Sequence, residues 1–390
     1  MPVPHLYVHV PFCARRCSYC DFSIAVRSAT PVDEYLDALR KELAGLSQDL
    51  DGSTLDTVYL GGGTPSRLGG RGIEDLLETV RIYAEVANGA EITLEANPDD
   101  VNDVAVAHWV GAGVNRVSLG SQSFDPHALE WMHRTHTAGQ IGTAVETLRR
   151  GGITNISLDL IFALPGHLNR SWKRDLESAL ELTPNHLSLY GLTVEAQTPI
   201  SRWAMRGASV QGSEEEYEQE FIEANATLSD AGFDHYEVSN FARPGFQSHH
   251  NSAYWTGAAY VGVGPSAHSF DGATRRWNVS AYAEWIRRLN TGESVVAGAE
   301  SLTSENRDAE EVYLGLRTKR GLPVSEAQLP GIRRWEEAGW AVLDDPLDQP
   351  RVRLTPTGWL RLDSLAAELA ARRARSGAPT LGATPSHCYI

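Results

Sequence analysis

Seven short runs rich in β-branched and aromatic residues alternate with helical patterns along the first 240 residues: Leu6–Phe12, Thr57–Leu60, Glu91–Glu95, Arg116–Leu119, Asn155–Ile161, His186–Leu192 and Phe233–Val238. Between them, Leu36, Leu39, Leu43 and Leu46 recur at helical spacing, as do Ile141, Ala144, Val145 and Leu148, and Tyr217, Phe221, Ala224 and Leu228. A βα repeat with a period of roughly 25 to 40 residues demands parallel strands joined by right-handed helical crossovers. The chain therefore reads as α/β, with a partial (β/α) barrel of the TIM type, about six units long, over residues 1–240.

In such a barrel, chemistry gathers at the C-terminal ends of the strands, where the βα loops converge. Those ends are polar or glycine-rich here: PFCARRCSYC, GGGTPS, EANPD, GSQSF, DLIFALPG and LTVEAQTP follow the first six strands. Residues 241–300 change character, with glycine, aromatic and Asn or His residues in SHHNSAYWTGAAYVGVGPSAHSF, and read as loops and short strands packed on the barrel. Residues 301–375 read as a small helical domain with a strand pair near Ala341–Leu343 and Arg351–Leu354, an order like that of a winged helix. Residues 376–390, rich in Gly, Pro and Ala, read as a flexible tail.

Charge narrows the partners. With 34 Lys plus Arg against 50 Asp plus Glu, the net charge of −16 argues against a nucleic-acid-binding surface spread over the molecule. Basic and acidic residues nearly balance in the winged-helix-like domain, which lacks the basic face that DNA binding needs. The N-terminus MPVPHLYVHVPFC has neither the basic start nor the apolar run of a signal peptide, and no apolar stretch approaches a membrane span, so a cytoplasmic protein is expected.

Three of the four cysteines, Cys13, Cys17 and Cys20, crowd into one strand-end loop, too close for a disulfide framework. Three thiolates from one loop suit three irons of a [4Fe–4S] cube and leave the fourth iron to a small molecule. A structural zinc site or three unrelated thiols are the plainer readings, although zinc would want a fourth ligand close by. Glu95, Arg134 and Asp159, taken singly, could be ordinary ion pairs of a barrel mouth; their placement at successive strand ends favours a shared site. Gly-Gly-Gly-Thr-Pro alone is compatible with a turn, and Val261–Gly264 lacks the rest of a dinucleotide fingerprint. Histidines 127, 133 and 136 suggest a metal only weakly, and Cys388 beside His387 stands apart from the cluster loop.

CxxxCxxC with an aromatic residue before the last cysteine, placed after the first strand of a βα repeat, resembles the radical S-adenosylmethionine (SAM) superfamily. LYVHVPFCARRCSYCDF, YLGGGTPS, LEANPD, SLGSQSFD, MHRTHT and DLIFALPG resemble its oxygen-independent coproporphyrinogen dehydrogenase branch across nearly the whole chain. The resemblance implies that SAM chelates the fourth iron. It implies Tyr7 beside the sulfonium, Tyr19 beside the cluster and adenine, Gly62, Gly63 and Thr64 along the SAM amino group, and Glu95 at its amino or ribose end. Gln122, Arg134 and Asp159 become contacts to the ribose and carboxylate. The chemistry agrees, because a zwitterion bearing a sulfonium wants acids for its cations and an arginine for its carboxylate.

Two departures separate the chain from the dehydrogenases themselves. Phe22 stands where they carry an additional cysteine, and only twelve residues precede Cys13 where they have a long extension. Both match the shorter HemW-like relatives, which act as haem chaperones. His250-Asn251-Ser252-Ala253-Tyr254-Trp255 matches the HNxxYW string associated with haem in that group, so His250 becomes a candidate haem contact. A packed loop with no ligand role, or ligation by His249 instead, are the alternatives. The resemblance thus implies a haem chaperone binding a [4Fe–4S] cluster, SAM and haem, with acceptor haemoproteins as partners, among them membrane respiratory complexes reached by peripheral contact, and an electron donor if SAM is cleaved. The alternatives are a coproporphyrinogen III dehydrogenase and a radical SAM enzyme for an unrelated small substrate.

Overall fold

The computed structural model describes residues 3–50, 52–344 and 350–377. The chain divides into two compact units, Met1–Tyr254 with Ala258–Ser301, and Trp255–Gly257 with Leu302–Ile390.

The larger unit is built on a nine-stranded sheet: β1 (His5–Val10), β2 (Thr54–Gly62), β3 (Glu85–Ala96), β4 (Arg116–Gln122), β5 (Asn155–Phe162), β6 (His186–Gly191), β7 (Asp234–Glu237), β8 (Asn240–Ala242) and β9 (Val261–Val263). Their order is β9-β1-β2-β3-β4-β5-β6-β8-β7, so the first six strands lie side by side in chain order and the barrel stays open at β9 and β7. All neighbours from β9 to β6 are parallel. The helices between them bury the stripes expected from their spacing, with Leu36, Leu39 and Leu43 covered in Val32–Gly45, and Ile141, Ala144, Val145 and Leu148 in Ala138–Arg150. Each such aliphatic side chain contributes about 2 kcal/mol on burial.

Two features depart from a simple repeat. The seventh run, Phe233–Val238, becomes β7 of an antiparallel hairpin with β8, because the two residues Val238 and Ser239 between them cannot form a crossover. The neighbour of β1 on its other side comes from the glycine-rich segment, where Val261–Val263 pairs in parallel with Leu6–Val8. The rest of that segment forms a three-stranded antiparallel sheet of His268–Phe270, Thr274–Asn278 and Val296–Ser301, with the helix Tyr282–Thr291. Glu42, buried on Val32–Gly45, ties it down by accepting hydrogen bonds from Gly264 N (2.8 Å), Asn278 Nδ2 (2.6 Å) and Trp285 Nε1 (2.9 Å).

Sequential strands with right-handed crossovers place the helices outside. The inner face is polar: His5, Tyr7 and His9 alternate with buried Leu6, Val8 and Val10, and in register with them run Thr57 and Tyr59, then Glu91, Thr93 and Glu95, then Arg116 and Ser118. A barrel filled by branched apolar side chains is the more familiar arrangement.

The smaller unit runs helix Ser304–Arg317, strand Leu322–Pro323, helix Leu329–Glu337, the antiparallel pair Ala341–Asp344 and Arg351–Leu354, and helices Pro356–Trp359 and Leu362–Gly377. Val312, Leu316, Ile332, Trp335, Val352 and Leu369 are its buried apolar residues. The order of helices and strand pair is winged-helix-like. From residue 378 the expected tail, Cys388 included, lies outside the described residues.

Candidate functional site

The cysteine loop is pinned at both ends. Phe12–Cys13 pairs in parallel with Ala25–Val26, Cys13 O accepts from Arg27 N (3.0 Å) and Pro11 O from Ala25 N (2.7 Å). Its middle is tied to later loops, since Ser18 N donates to Met132 O (3.2 Å) and Ile200 N to Ser18 O (3.0 Å). All three thiols are free and half-buried; Cys13 Sγ lies 3.5 Å from Thr64 Oγ1, and Arg134 Nη1 donates to Cys17 Sγ (3.4 Å). Burial pushes the Cys13 thiol up, and burial together with Cys17 pushes Cys20 to about 12. Such a pocket resists a bare thiolate and suits one bonded to metal. Among the described residues no three His, Cys, Asp or Glu converge as a single ion requires, whereas a cube takes its thiolates one per iron. His136 is buried with Nε2 3.0 Å from Ser121 O, while its Nδ1 has no partner.

Next to this loop, β2 ends in a backbone that excludes side chains. A Cβ on Gly61 would lie 2.8 Å from Tyr59 and 3.0 Å from Tyr7; Gly62 has φ +110° with the His9 ring 2.6 Å from a Cβ position; and at Gly63 the Pro11 backbone lies at 2.7 Å. Glu95, at the end of β3, accepts from Tyr59 Oη (2.8 Å) and Gly62 N (3.1 Å). Burial lifts its carboxyl to about 7, and Asp159 adds to the rise. Asp159 on β5 accepts from Ser118 Oγ at 2.9 and 3.1 Å and from Ser157 Oγ at 3.3 Å, and burial raises it as well. Arg134 donates to Asn97 Oδ1 (2.6 Å) and Gly120 O (2.8 Å), while its buried Nε has no partner. Gln122 closes β4 at a register shift with φ 65°, and its amide lies, like Arg134 Nη2, beside Gly120. Tyr7 stacks on Tyr59 at 6.1 Å, and Tyr19 packs against Leu129, Met132 and Ile200.

The structure thus gathers Tyr7, Tyr19, Gly62, Gly63, Thr64, Glu95, Gln122, Arg134 and Asp159 around the cysteines at one end of the barrel. Two buried carboxyls for cations and an arginine with an unused buried donor fit a zwitterionic sulfonium.

His250 is elsewhere. Helix His249–Trp255 sits at the N-terminal ends of the strands, its first turn held by Glu91, whose Oε2 and Oε1 accept from His249 N and His250 N at 3.0 Å each. The His250 ring is buried and stacks on Tyr59 at 5.0 Å. Its Nδ1 lies 2.6 Å from Thr57 Oγ1 and its Nε2 2.9 Å from Tyr254 Oη, so both nitrogens are committed, and burial lowers its pKa to about 3. His249 is exposed.

The profile of the Radical SAM superfamily matches residues 7–179, a span that includes every cysteine and SAM candidate and ends before His250. The Heme chaperone HemW of Mycobacterium tuberculosis (strain ATCC 25618 / H37Rv) is 38% identical over 360 residues, 92% of each chain. That of Lactococcus lactis subsp. lactis (strain IL1403) is 36% identical over 320 residues, 82% of this chain and 83% of the relative. The chain belongs to the HemW family. The solved structure of coproporphyrinogen III oxidase (HemN) from Escherichia coli superposes with a TM-score of 0.79, 23% identity and coverage of 94% of this chain and 90% of that one, which shows that this chain shares its fold.

Several residues that build the site escaped the motif reading: His9, which fills the space over Gly62 and bonds Ser23 O (3.0 Å); Tyr59 and Ser118, which hold the two acids; Asn97, which anchors Arg134; and Glu91, which caps the His250 helix. The available signal was polar residues at every second position within runs otherwise apolar, as in His5-Tyr7-His9 and Glu91-Thr93-Glu95.

Proposed function

We propose that this chain is a haem chaperone that holds a [4Fe–4S] cluster on Cys13, Cys17 and Cys20, binds SAM at the same barrel mouth, and carries haem for delivery to haemoproteins. The observation that carries the reading is the 38% identity to a protein named Heme chaperone HemW over 92% of both chains. The cluster, when bound, supplies an iron able to chelate SAM. The remaining work falls to the chain: Glu95 and Asp159 face the cationic end of SAM, Arg134 offers its unpartnered Nε to the carboxylate, and the Gly62–Thr64 backbone runs along the amino group. Tyr7 and Tyr19 flank the ligand, and Gln122 meets the ribose.

The acceptors are proposed to include respiratory haemoproteins of the membrane, reached by peripheral contact from the cytoplasm, with an electron donor engaged only if SAM is cleaved. No helix among the described residues is long and apolar enough to cross a membrane. His250 can contact haem iron only if its bonds to Thr57 and Tyr254 are exchanged; in the conformation described it fixes the helix that carries HNxxYW. Phe22, half exposed in place of the cysteine expected of a dehydrogenase, supports a chaperone over that enzyme.

Anaerobic, cluster-reconstituted protein tests the proposal, incubated in one arm with haem and in another with coproporphyrinogen III, SAM and a reductant. Stoichiometric haem binding without carbon dioxide release is the expected result. Sustained decarboxylation would restore the dehydrogenase reading.

A further inference from the structure

A protein that carries haem needs an apolar, aromatic wall, an uncommitted ligand atom for iron and cations for the propionates. The helix at the barrel floor has its buried imidazole bonded on both nitrogens. The loops that follow β4, β5 and β6, at the cysteine end, offer all three requirements.

Trp131 and Trp203 meet edge to face at 5.8 Å, and two imidazoles flank the pair: His167 lies 6.5 Å from Trp131 and His133 lies 5.6 Å from Trp203. Both tryptophans are half-buried and back onto the apolar cluster that also receives Tyr19 of the cysteine loop, so the aromatic wall adjoins the proposed cofactor mouth. No hydrogen bond of the described residues engages the ring nitrogens of His133 or His167.

His133 is unusual in its backbone. It follows helix Pro126–Trp131 at φ 59°, with its N–H on Glu130 O and the next N–H on Leu129 O, both at 2.9 Å. Glycine or asparagine takes that left-handed helix-end position more readily, so an imidazole is held there against the preference of its backbone. The conformation turns the ring onto Trp203. Helix Pro199–Ala204 and the two residues after it add the remaining features: Met205 is 79% exposed, and Arg202 within the helix and Arg206 just beyond it are exposed.

We infer that haem docks at this mouth, lying against the Trp131–Trp203 wall with His133 as an axial ligand of the iron and Arg202 and Arg206 toward the propionates. The inference rests on the haem-carrying reading above and names the site of that cargo. It brings haem to the same end of the barrel as the cluster and away from His250.

The test titrates haem into full-length, cluster-loaded protein under anaerobic conditions, following the Soret band and the iron spin state. His133→Asn keeps a residue suited to the left-handed position and removes the imidazole; it should lose the low-spin spectrum and bind haem about tenfold or more weakly. His133→Gly should regain the spectrum when free imidazole is added, a recovery that a purely structural role would not give. Trp203→Ala should weaken binding about tenfold without changing the ligand field. Cluster absorbance, recorded on each variant, reports the fold. A wild-type spectrum in His133→Asn would overturn the site, as would a His133→Gly protein that ignores imidazole or a His250→Ala protein that loses more haem than His133→Asn. Failure of the wild-type protein to bind haem would instead overturn the haem-carrying reading itself.

Discussion

At the mouth of the barrel, Arg134 keeps a buried Nε without a partner, and the backbone turns left-handed at Gly62, Gln122 and His133. At the floor, His186 is bonded through Nδ1 to Ser157 and through Nε2 to Tyr236, His250 through its two nitrogens to Thr57 and Tyr254, and Glu91 spends both oxygens on one helix start. Both ends are rich in histidine, tyrosine and carboxylate. The mouth leaves Arg134 Nε unspent beside the cysteine loop and turns left-handed at the non-glycine residues Gln122 and His133, whereas the floor commits these histidines and Glu91 internally and keeps its unspent donors on Arg116, at Nε and Nη1. A ligand can be recognised only by groups that are not already satisfied, so composition alone does not locate a site.

The sharpest way to break this contrast is to cut one residue from each end. Cys17→Ala should abolish iron–sulfur absorbance after anaerobic reconstitution, and His250→Ala should retain it; equal cluster content in the two variants would erase the distinction. Gly63→Val belongs with the first, because its new Cβ would lie 2.7 Å from the Pro11 backbone that leads into Cys13, and cluster and SAM should be lost together. At the floor, Glu91→Ala leaves two helix N–H groups unpaired and should cost about 2–4 kcal/mol in chemical denaturation, with SAM affinity within about twofold of wild type.

The mouth should also titrate. Burial lifts the Glu95 carboxyl from 4.5 to about 7, so it is protonated below that pH and carries its charge above it. If the charged form meets the cationic end of SAM, affinity measured by calorimetry should rise with pH by up to about tenfold per unit until it levels near 7. Glu95→Gln should flatten this limb; an unchanged profile would remove Glu95 from the contact. The smallest effect is expected from Tyr254→Phe, which deletes one hydrogen bond to His250 and should cost about 1 kcal/mol of stability with the cluster intact.

Much of the mouth could be read from residue order because each of its parts ends a strand of a regular repeat: the cysteines follow β1, the glycines β2, Glu95 ends β3 and Gln122 β4. The floor was hidden because its helix, near residue 250, bonds Thr57 and Glu91, residues that precede His250 by 193 and 159 positions in the chain. No local pattern encodes that distance, and HNxxYW says nothing about which end of a barrel it occupies. Val261–Val263 was equally opaque, three residues of strand inside a glycine-rich stretch. The hairpin of β7 and β8 turns on the two-residue spacing that its apolar run conceals.

The partnership of β1 with Val261–Val263 has a consequence for biosynthesis. The strand that launches the cysteine loop leaves the ribosome before the rest of the sheet, yet its second neighbour is made some 250 residues later, an interval of roughly ten to fifty seconds at ordinary elongation rates. Until then β1 presents an unpaired edge, although the residues that pin the cysteine loop, Ala25, Arg27, Met132 and Ile200, are already made. The loop can therefore be fixed, and loaded with iron and sulfur, before the last strand of the barrel is in place.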